Sequence, residues 1–133
     1  MPAEPSGRAP WRASYRRFFV PLLPDGHPDH AAIQAEIGNV YAELSSTDDA
    51  LTHYQRAVRH CMEAGDTYHA GQIRYNSARL LYYAGRYRDA LDWARAALLD
   101  FETVGAGATQ MINLTEQLSQ AVQRAIDGGL SNR

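Results

Sequence analysis

The residues of this sequence that could ligate a metal are grouped near its thirtieth position. His27, Asp29 and His30 stand together in a His-Pro-Asp-His stretch. A structural zinc site needs four ligands, and the sequence contains no matching second cluster that would supply the others. We therefore predict no metal site and interpret the stretch as a solvated turn.

The single cysteine is the second candidate for chemistry. Cys61 follows His60 directly, and His53 lies one heptad before His60. A nucleophilic Cys–His pair needs side chains that face each other, whereas adjacent residues of a helix diverge by about 100°. Cys61 also continues an apolar stripe, so we predict a buried and inert thiol. The sequence contains no glycine-rich phosphate loop and no Gly-x-Ser-x-Gly or His-Glu-x-x-His motif. It therefore predicts neither an enzyme nor a cofactor.

The composition favours one small domain in a reducing compartment. The chain has 133 residues and one cysteine, enough for a single core but not for an intrachain disulfide. The net charge of −2 does not favour binding to nucleic acid or to an anionic membrane. All 13 basic residues are arginine, which indicates a GC-rich bacterial coding sequence. Because there is no signal peptide and no apolar run of about 18 residues, we predict a cytoplasmic protein without a membrane segment.

The clearest structural pattern lies between residues 75 and 101. Gly85 separates two helical runs and can take the left-handed conformation that ends a helix. The second run repeats apolar residues at three- and four-residue spacing, which is typical of one helix face: Tyr87, Ala90, Leu91, Ala94, Ala97, Leu98 and Phe101. We therefore predict an antiparallel helical hairpin whose small alanines let the two helices approach closely.

A similar pattern occurs 40 residues earlier in the chain. Ala50-Leu51 corresponds to Ala90-Leu91, and Ala57-Val58 corresponds to Ala97-Leu98. The two units share a pattern of glycine, tyrosine and alanine that resembles the tetratricopeptide repeat (TPR) family. It consists of Gly85, Tyr87, Ala90 and Ala97 in the second unit and of Gly38, Tyr41, Ala50, Tyr54 and Ala57 in the first. The usual TPR period is about 34 residues. The longer period here resembles bacterial regulatory members, and it predicts a second helix about one and a half turns longer.

The resemblance implies an all-α, right-handed stack of two antiparallel helical hairpins. The helix after residue 107 has a polar outer face and is predicted to cap this stack at its C-terminal end. We expect a Pro-rich arm over residues 1–28, the repeat domain over residues 29–127 and a disordered tail over residues 128–133. Thr47 is the expected N-cap of the second helix, after an atypical Ser45-Ser46-Thr47 turn, and Asp66 or Thr67 caps the third. The five helices are predicted at 29–44, 47–64, 67–84, 87–104 and 107–127.

The N-terminal arm combines aromatic, apolar and basic residues between positions 11 and 23. Three interpretations stay open. The arm packs its aromatic side chains on the repeats, along their groove or against their N-terminal edge. Alternatively, it is a remnant of a larger domain or a partner-binding segment, or it forms a membrane-surface helix, which Pro21 would keep short.

The resemblance also implies a partner-binding groove lined by the first helix of each hairpin. By position, the predicted site residues are Asn39, Glu43, Gln72, Tyr75, Asn76, Arg79, Tyr82 and Tyr83, and the groove also includes Ala32, Ala35 and Ala42. Tyr and Arg often anchor interfaces, so Arg79 with the tyrosine pair is the favoured patch, unless one tyrosine packs between repeats. Two asparagines match the carboxylate clamp of chaperone-binding members. The basic residues of that clamp are missing, because Ala35, Ile112 and Glu116 occupy their positions. This argues against an acidic chaperone tail as ligand.

We therefore expect a non-catalytic protein-interaction scaffold that binds a peptide or helix, free-standing or as part of a larger bacterial regulator. One alternative is a structural module that forms a homo-oligomer through the arm or an exposed repeat end. Another is a sensor that holds a small ligand in the tyrosine-rich groove.

Overall fold

The computed structural model describes residues 28–129, which form five α-helices. We label them α1 (Pro28–Glu43), α2 (Thr47–Glu63), α3 (Thr67–Tyr83), α4 (Tyr87–Val104) and α5 (Thr109–Asp127), with a 3₁₀ turn at Gly105–Ala108 before α5. The predicted arm and the predicted disordered tail fall outside the described range, apart from residues 28, 128 and 129. The part of the chain that the structure describes has no strand, and none of its helices is both long and apolar enough to cross a membrane.

The helices form two antiparallel hairpins followed by a single helix. Helix α1 packs on α2 and α3 packs on α4, while α2 contacts α3 and α5 covers α4 and the edge of α3. Ala50 and Ala90 are both fully buried in the first turn of the second helix of their hairpins. The predicted all-α stack of two hairpins with a C-terminal helix is therefore confirmed.

Three turns of the same geometry connect the first four helices. After α2, the Gly65 N–H donates to the Met62 carbonyl at 3.1 Å and the Asp66 N–H donates to the Cys61 carbonyl at 2.8 Å. This pattern satisfies the last carbonyls of the helix, and it requires a left-handed residue. Gly65 has φ +73° and Gly85 has φ +78° at equivalent positions.

The turn after α1 has this geometry too, without a glycine. Ser45 donates its N–H to the Ala42 carbonyl at 3.0 Å and takes φ +59°. The prediction of an atypical first turn is therefore wrong. Serine adopts the left-handed conformation because the two helices it joins fix the chain path on both sides.

Close approach within each hairpin depends on paired large and small side chains. A Cβ atom placed on Gly38 of α1 would lie 2.7 Å from the ring of Tyr54 on α2. The corresponding residues of the second hairpin, Ala78 and Ala94, are both small and fully buried. The first hairpin therefore uses glycine and tyrosine where the second uses two alanines.

At a second contact between paired helices, the second hairpin has a glycine opposite a large ring and the first hairpin has two small residues. A Cβ atom on Gly71 of α3 would lie 2.8 Å from the ring of Phe101 on α4. The corresponding residues of the first hairpin are Ala31 and Cys61. A glycine thus stands opposite a large ring at one position in each hairpin, and the interhelical space is filled in both.

Charged pairs join elements at two further places. Arg74 of α3 donates to the buried carboxylate of Asp100 on α4 at 2.6 Å. Arg86, in the turn before α4, donates to Asp48 of α2 at 2.7 Å and to Asp89 at 3.1 Å. These hydrogen bonds raise the pKa of Arg86, the one to Asp48 most strongly. The first pair fixes the second hairpin internally, and the second pair ties the two hairpins together.

Several local expectations need correction. The N-cap of α2 is Ser46, without a side-chain hydrogen bond, and Thr47 is the first helical residue. Asp66 caps α3 as predicted, by accepting from the His69 N–H at 3.2 Å.

The predicted helix lengths also change. Helices α1, α2 and α3 each end one residue earlier than expected, and α5 begins at Thr109 because a 3₁₀ turn occupies the preceding residues. The helices of the second hairpin have 17 and 18 residues. The longer period is thus shared between both helices, and the prediction that the second helix alone carries it is wrong.

Candidate functional site

A groove runs along the face where α1 and α3 lie side by side. It contains two cavities, of about 260 and 320 Å³, that share Asn76 in their walls. We call this feature the α1–α3 groove. The residues lining the first cavity are Ala31, Ala32, Ala35, Cys61, Asp66, His69, Gln72, Ile73 and Asn76. The second cavity is lined by Asn39, Ala42, Tyr54, Asn76, Arg79, Leu80 and Tyr83.

The second cavity presents one hydrogen-bond donor, the Asn39 amide, whose position is fixed from below. Tyr54 of α2, almost fully buried, donates its hydroxyl to Asn39 Oδ1 at 2.6 Å. Burial is the main cause that raises the pKa of Tyr54, with a further contribution from Glu36, so the hydroxyl keeps its proton at neutral pH. Because the carbonyl oxygen of Asn39 is engaged, its amide group is left to donate to a ligand.

Arg79 and Tyr83 project from the opposite wall of the second cavity. Both are exposed, and Tyr83 is 75% exposed. The Arg79 guanidinium lies 5.9 Å above the ring of Tyr75, at a distance typical of a cation–π contact. One charged and one aromatic side chain are therefore available beside two asparagine amides.

The first cavity is mainly apolar and has one polar edge. Three small residues of α1 line it together with the buried side chains of Ile73 and Cys61. At its rim the carboxylate of Asp66 lies 2.6 Å from Nδ1 of His69. A cavity with alanine walls and a polar rim can accept one bulky apolar side chain from a bound segment.

The predicted site residues divide into two groups. Asn39, Gln72, Asn76, Arg79 and Tyr83 line the groove, as do the predicted alanines Ala32, Ala35 and Ala42. Glu43, Tyr75 and Tyr82 do not line either cavity.

The three remaining residues have other surroundings. Glu43 is exposed at the end of α1. Tyr75 packs against the cluster around Phe101 and Ala108. Tyr82 packs against the ring of Tyr87, with centroids 5.7 Å apart. The two half-buried tyrosines therefore face α4 and α5, and Tyr83 is the member of the Tyr82–Tyr83 pair that is open to a partner.

Sequence reasoning missed the residues that line the groove from beneath. Cys61 was expected only as a buried thiol, Tyr54 was used only as part of the repeat pattern, and His69 was not selected at all. Tyr54 carried a usable signal, because a tyrosine opposite Gly38 must extend past the glycine towards the α1–α3 groove.

The cysteine and two of the histidines first considered for chemistry are packed against neighbouring side chains of the helices. Burial raises the pKa of the Cys61 thiol to about 11, so the thiolate is scarce near neutral pH. Residues 28–30 belong to α1 and His30 is 6% exposed, so the predicted solvated turn is wrong there. The ring of His60 stacks on that of His30, with centroids 5.1 Å apart. Within residues 28–129, no group of three or more His, Cys, Asp or Glu side chains could hold a metal ion. His27 lies outside the described residues.

The stacked hairpins and the groove between their first helices define a helical-repeat protein. A family model described as tetratricopeptide repeat matches residues 29–98. The chain therefore belongs to the tetratricopeptide repeat family, as its glycine, tyrosine and alanine pattern predicted. Members of this family generally mediate protein–protein interactions and are typically non-catalytic. A search of curated proteins and a search of solved structures each returned no match. The long-period bacterial subtype, the cytoplasmic location and the larger regulator stay predictions.

Proposed function

We propose that this protein binds a segment of another protein in the α1–α3 groove. The observation that carries the proposal is the combination of two neighbouring cavities that share Asn76, one with alanine walls and one bordered by the hydrogen-bond donors Asn39 and Arg79. Neither is filled by a side chain of residues 28–129, and both lie on the helices that family membership assigns to the inner face.

The chemistry of the groove favours a particular kind of segment. The alanine-walled cavity fits one bulky apolar side chain, whose burial would contribute about 1.5–3 kcal/mol. At the other end, the amides of Asn39 and Asn76 can donate to backbone carbonyl oxygens, and Arg79 can donate to a carboxylate. We therefore expect a peptide or helix that carries an apolar residue followed by an acidic one.

Selection from a displayed library of random peptides tests the proposal. Peptides enriched on the full-length protein are synthesised with a fluorophore, and their affinity is measured by fluorescence anisotropy. Arg79→Ala should weaken binding about tenfold or more, because a hydrogen bond to a charged group contributes about 1.5–3 kcal/mol. Asn76→Ala should weaken it by a smaller factor.

Matched controls lie on other faces of the same molecule. Arg95 on α4 and Asn113 on α5 are exposed and line neither cavity of the groove. Arg95→Ala and Asn113→Ala should leave the affinity unchanged. The proposal would be rejected if the selected peptides bound the groove variants as tightly as they bind these controls.

A further inference from the structure

A second groove follows the side of α4 that faces α2, and we call it the α2–α4 groove. It contains two cavities, of about 240 and 260 Å³, and Asp92 and Trp93 line both of them. From α3, Leu81 lines the larger part of the floor of the first cavity and Arg74 lines the second. At 3.6 residues per turn, these two residues lie roughly opposite Asn76 on α3. The α2–α4 groove is therefore separate from the α1–α3 groove.

Trp93 forms an aromatic wall between the two cavities. It is half-buried, because part of its side chain packs against the cluster that contains Leu51 and Leu81. The rest of the side chain borders the cavities. The indole ring is the aromatic group that attracts cations most strongly. Trp93 therefore presents apolar area and a surface on which a cation can lie.

The charges around the first cavity are mainly negative. Arg86 already donates to two carboxylates, to that of Asp48 at 2.7 Å and to that of Asp89 at 3.1 Å. Asp92 is exposed, and within residues 28–129 it forms neither a hydrogen bond nor an ion pair. One guanidinium group is thus set against three carboxylates. The carboxylate of Asp92 is available to a cation from another molecule.

The second cavity has no such excess of charge. Its basic residue, Arg74, donates to the buried carboxylate of Asp100 at 2.6 Å. Trp93 and Ala96 form much of the remaining wall, and the methylene groups of an arginine add apolar surface. This cavity suits an aliphatic side chain.

We propose that the α2–α4 groove binds a basic segment of a partner protein, with an arginine in the first cavity and an aliphatic residue in the second. A guanidinium group is planar, so it can stack on the Trp93 ring while it donates to the Asp92 carboxylate. Gln55 on the α2 wall can accept a further hydrogen bond through its amide oxygen. An acidic segment would instead meet the unpaired charge of Asp92.

This interface is independent of the proposed function. The α1–α3 groove is expected to receive an acidic residue beside Arg79, whereas the α2–α4 groove is expected to receive a basic one. The two grooves would therefore select segments of opposite charge on opposite sides of α3.

Nuclear magnetic resonance titration of the full-length protein with a short peptide tests the proposal. The probe is the end-capped peptide Ala-Arg-Ala-Leu-Ala, in which the arginine and leucine side chains lie about 7 Å apart on one side of an extended chain. The control peptide carries citrulline, which is neutral and similar in shape, in place of arginine. The signals followed are the indole N–H of Trp93 and the backbone amides of Gln55 and Asp92.

The arginine peptide should shift these three signals in a saturable way, and the citrulline peptide should bind about fivefold more weakly. Asp92→Asn should lower the affinity for the arginine peptide about fivefold and leave that for the citrulline peptide unchanged. Glu102→Gln is the matched control, because Glu102 is an exposed acidic residue of α4 that lines neither cavity. It should leave both affinities unchanged, and so should Arg79→Ala in the other groove.

Four results would overturn the proposal. Equal weakening by Asp92→Asn and Glu102→Gln would show attraction to overall charge alone. Shifts confined to Asn76 and Arg79 would place the peptide in the α1–α3 groove. Movement of the Trp93 indole signal on dilution of the protein alone would assign the α2–α4 groove to a second copy. The fourth result is the absence of any saturable shift at the three signals.

Discussion

The contact between Gly38 and Tyr54 gives the sharpest test of how the first hairpin is packed. A methyl group added by Gly38→Ala would begin 2.7 Å from two ring carbons of Tyr54. The ring cannot move aside, because Tyr54 is buried and its hydroxyl is held by Asn39. Overpacking of this kind costs about 1–3 kcal/mol. Alanine gains up to about 1 kcal/mol over glycine within a helix, so we expect a net destabilisation of about 1–2 kcal/mol.

A double-mutant cycle separates this clash from any other effect of the substitution. Tyr54→Ala removes the ring and should cost about 3–5 kcal/mol alone. In that background the methyl group has room, and Gly38→Ala should stabilise by about 0.5–1 kcal/mol. The two sites should therefore be coupled by about 2 kcal/mol.

Urea unfolding followed by circular dichroism measures each corner of the cycle. Tyr54→Phe is the matched control, because it removes the hydroxyl and keeps the ring, and Gly38→Ala should still destabilise the protein in that background. Equal effects of Gly38→Ala with and without the ring would refute the proposed large-and-small packing.

Three further predictions concern single sites. Ser45→Gly should stabilise the protein by about 0.5–1 kcal/mol in urea unfolding, because it removes the steric cost of a serine in the left-handed backbone conformation. A loss of stability would contradict this account of the turn. Arg74→Leu should destabilise the protein by about 2–3 kcal/mol, because it leaves the Asp100 carboxylate buried without its charged donor. The double variant Arg74→Leu/Asp100→Leu should recover much of this stability. If the losses of the two single variants simply added in the double variant, the ion pair would not be the cause. The pKa of His60 is lowered, mainly by burial and then by His30, below its value in the unfolded chain. The unfolded chain therefore binds more protons, and stability should fall as the pH drops from about 7.5 through 6.5 and then level off below the folded-state pKa. Thermal unfolding of His60→Gln should show a weaker dependence over that interval, whereas an unchanged slope would exclude His60 as its source.

The repeat pattern could be predicted from the sequence because its causes are local. Gly85 ends a helix, and small residues such as Ala90 and Ala97 recur where two helices must touch. Ala50 and Ala57 repeat the pattern at the same spacing. These residues indicate which segments form hairpins. The fold class followed from them with few errors.

The errors arose where a residue's role depends on elements distant in sequence. Ser45 takes a glycine-like conformation because the helices on both sides impose the chain path. Tyr82 and Tyr83 are adjacent and chemically identical, yet Tyr87 packs against one and the groove borders the other. His53 is buried against Tyr41 and Gln34 of another helix. No local pattern distinguishes these cases, since the deciding neighbour belongs to a different element.

The location of a bound peptide on the protein is the most direct test of the groove. Amide chemical shifts are recorded for the full chain during titration with a peptide selected as above. We predict that the largest changes occur at Ala35, Asn39, Asn76 and Arg79, which border the α1–α3 groove from both sides. Changes confined to α2 and α4, with these four amides unmoved, would contradict the proposed binding surface.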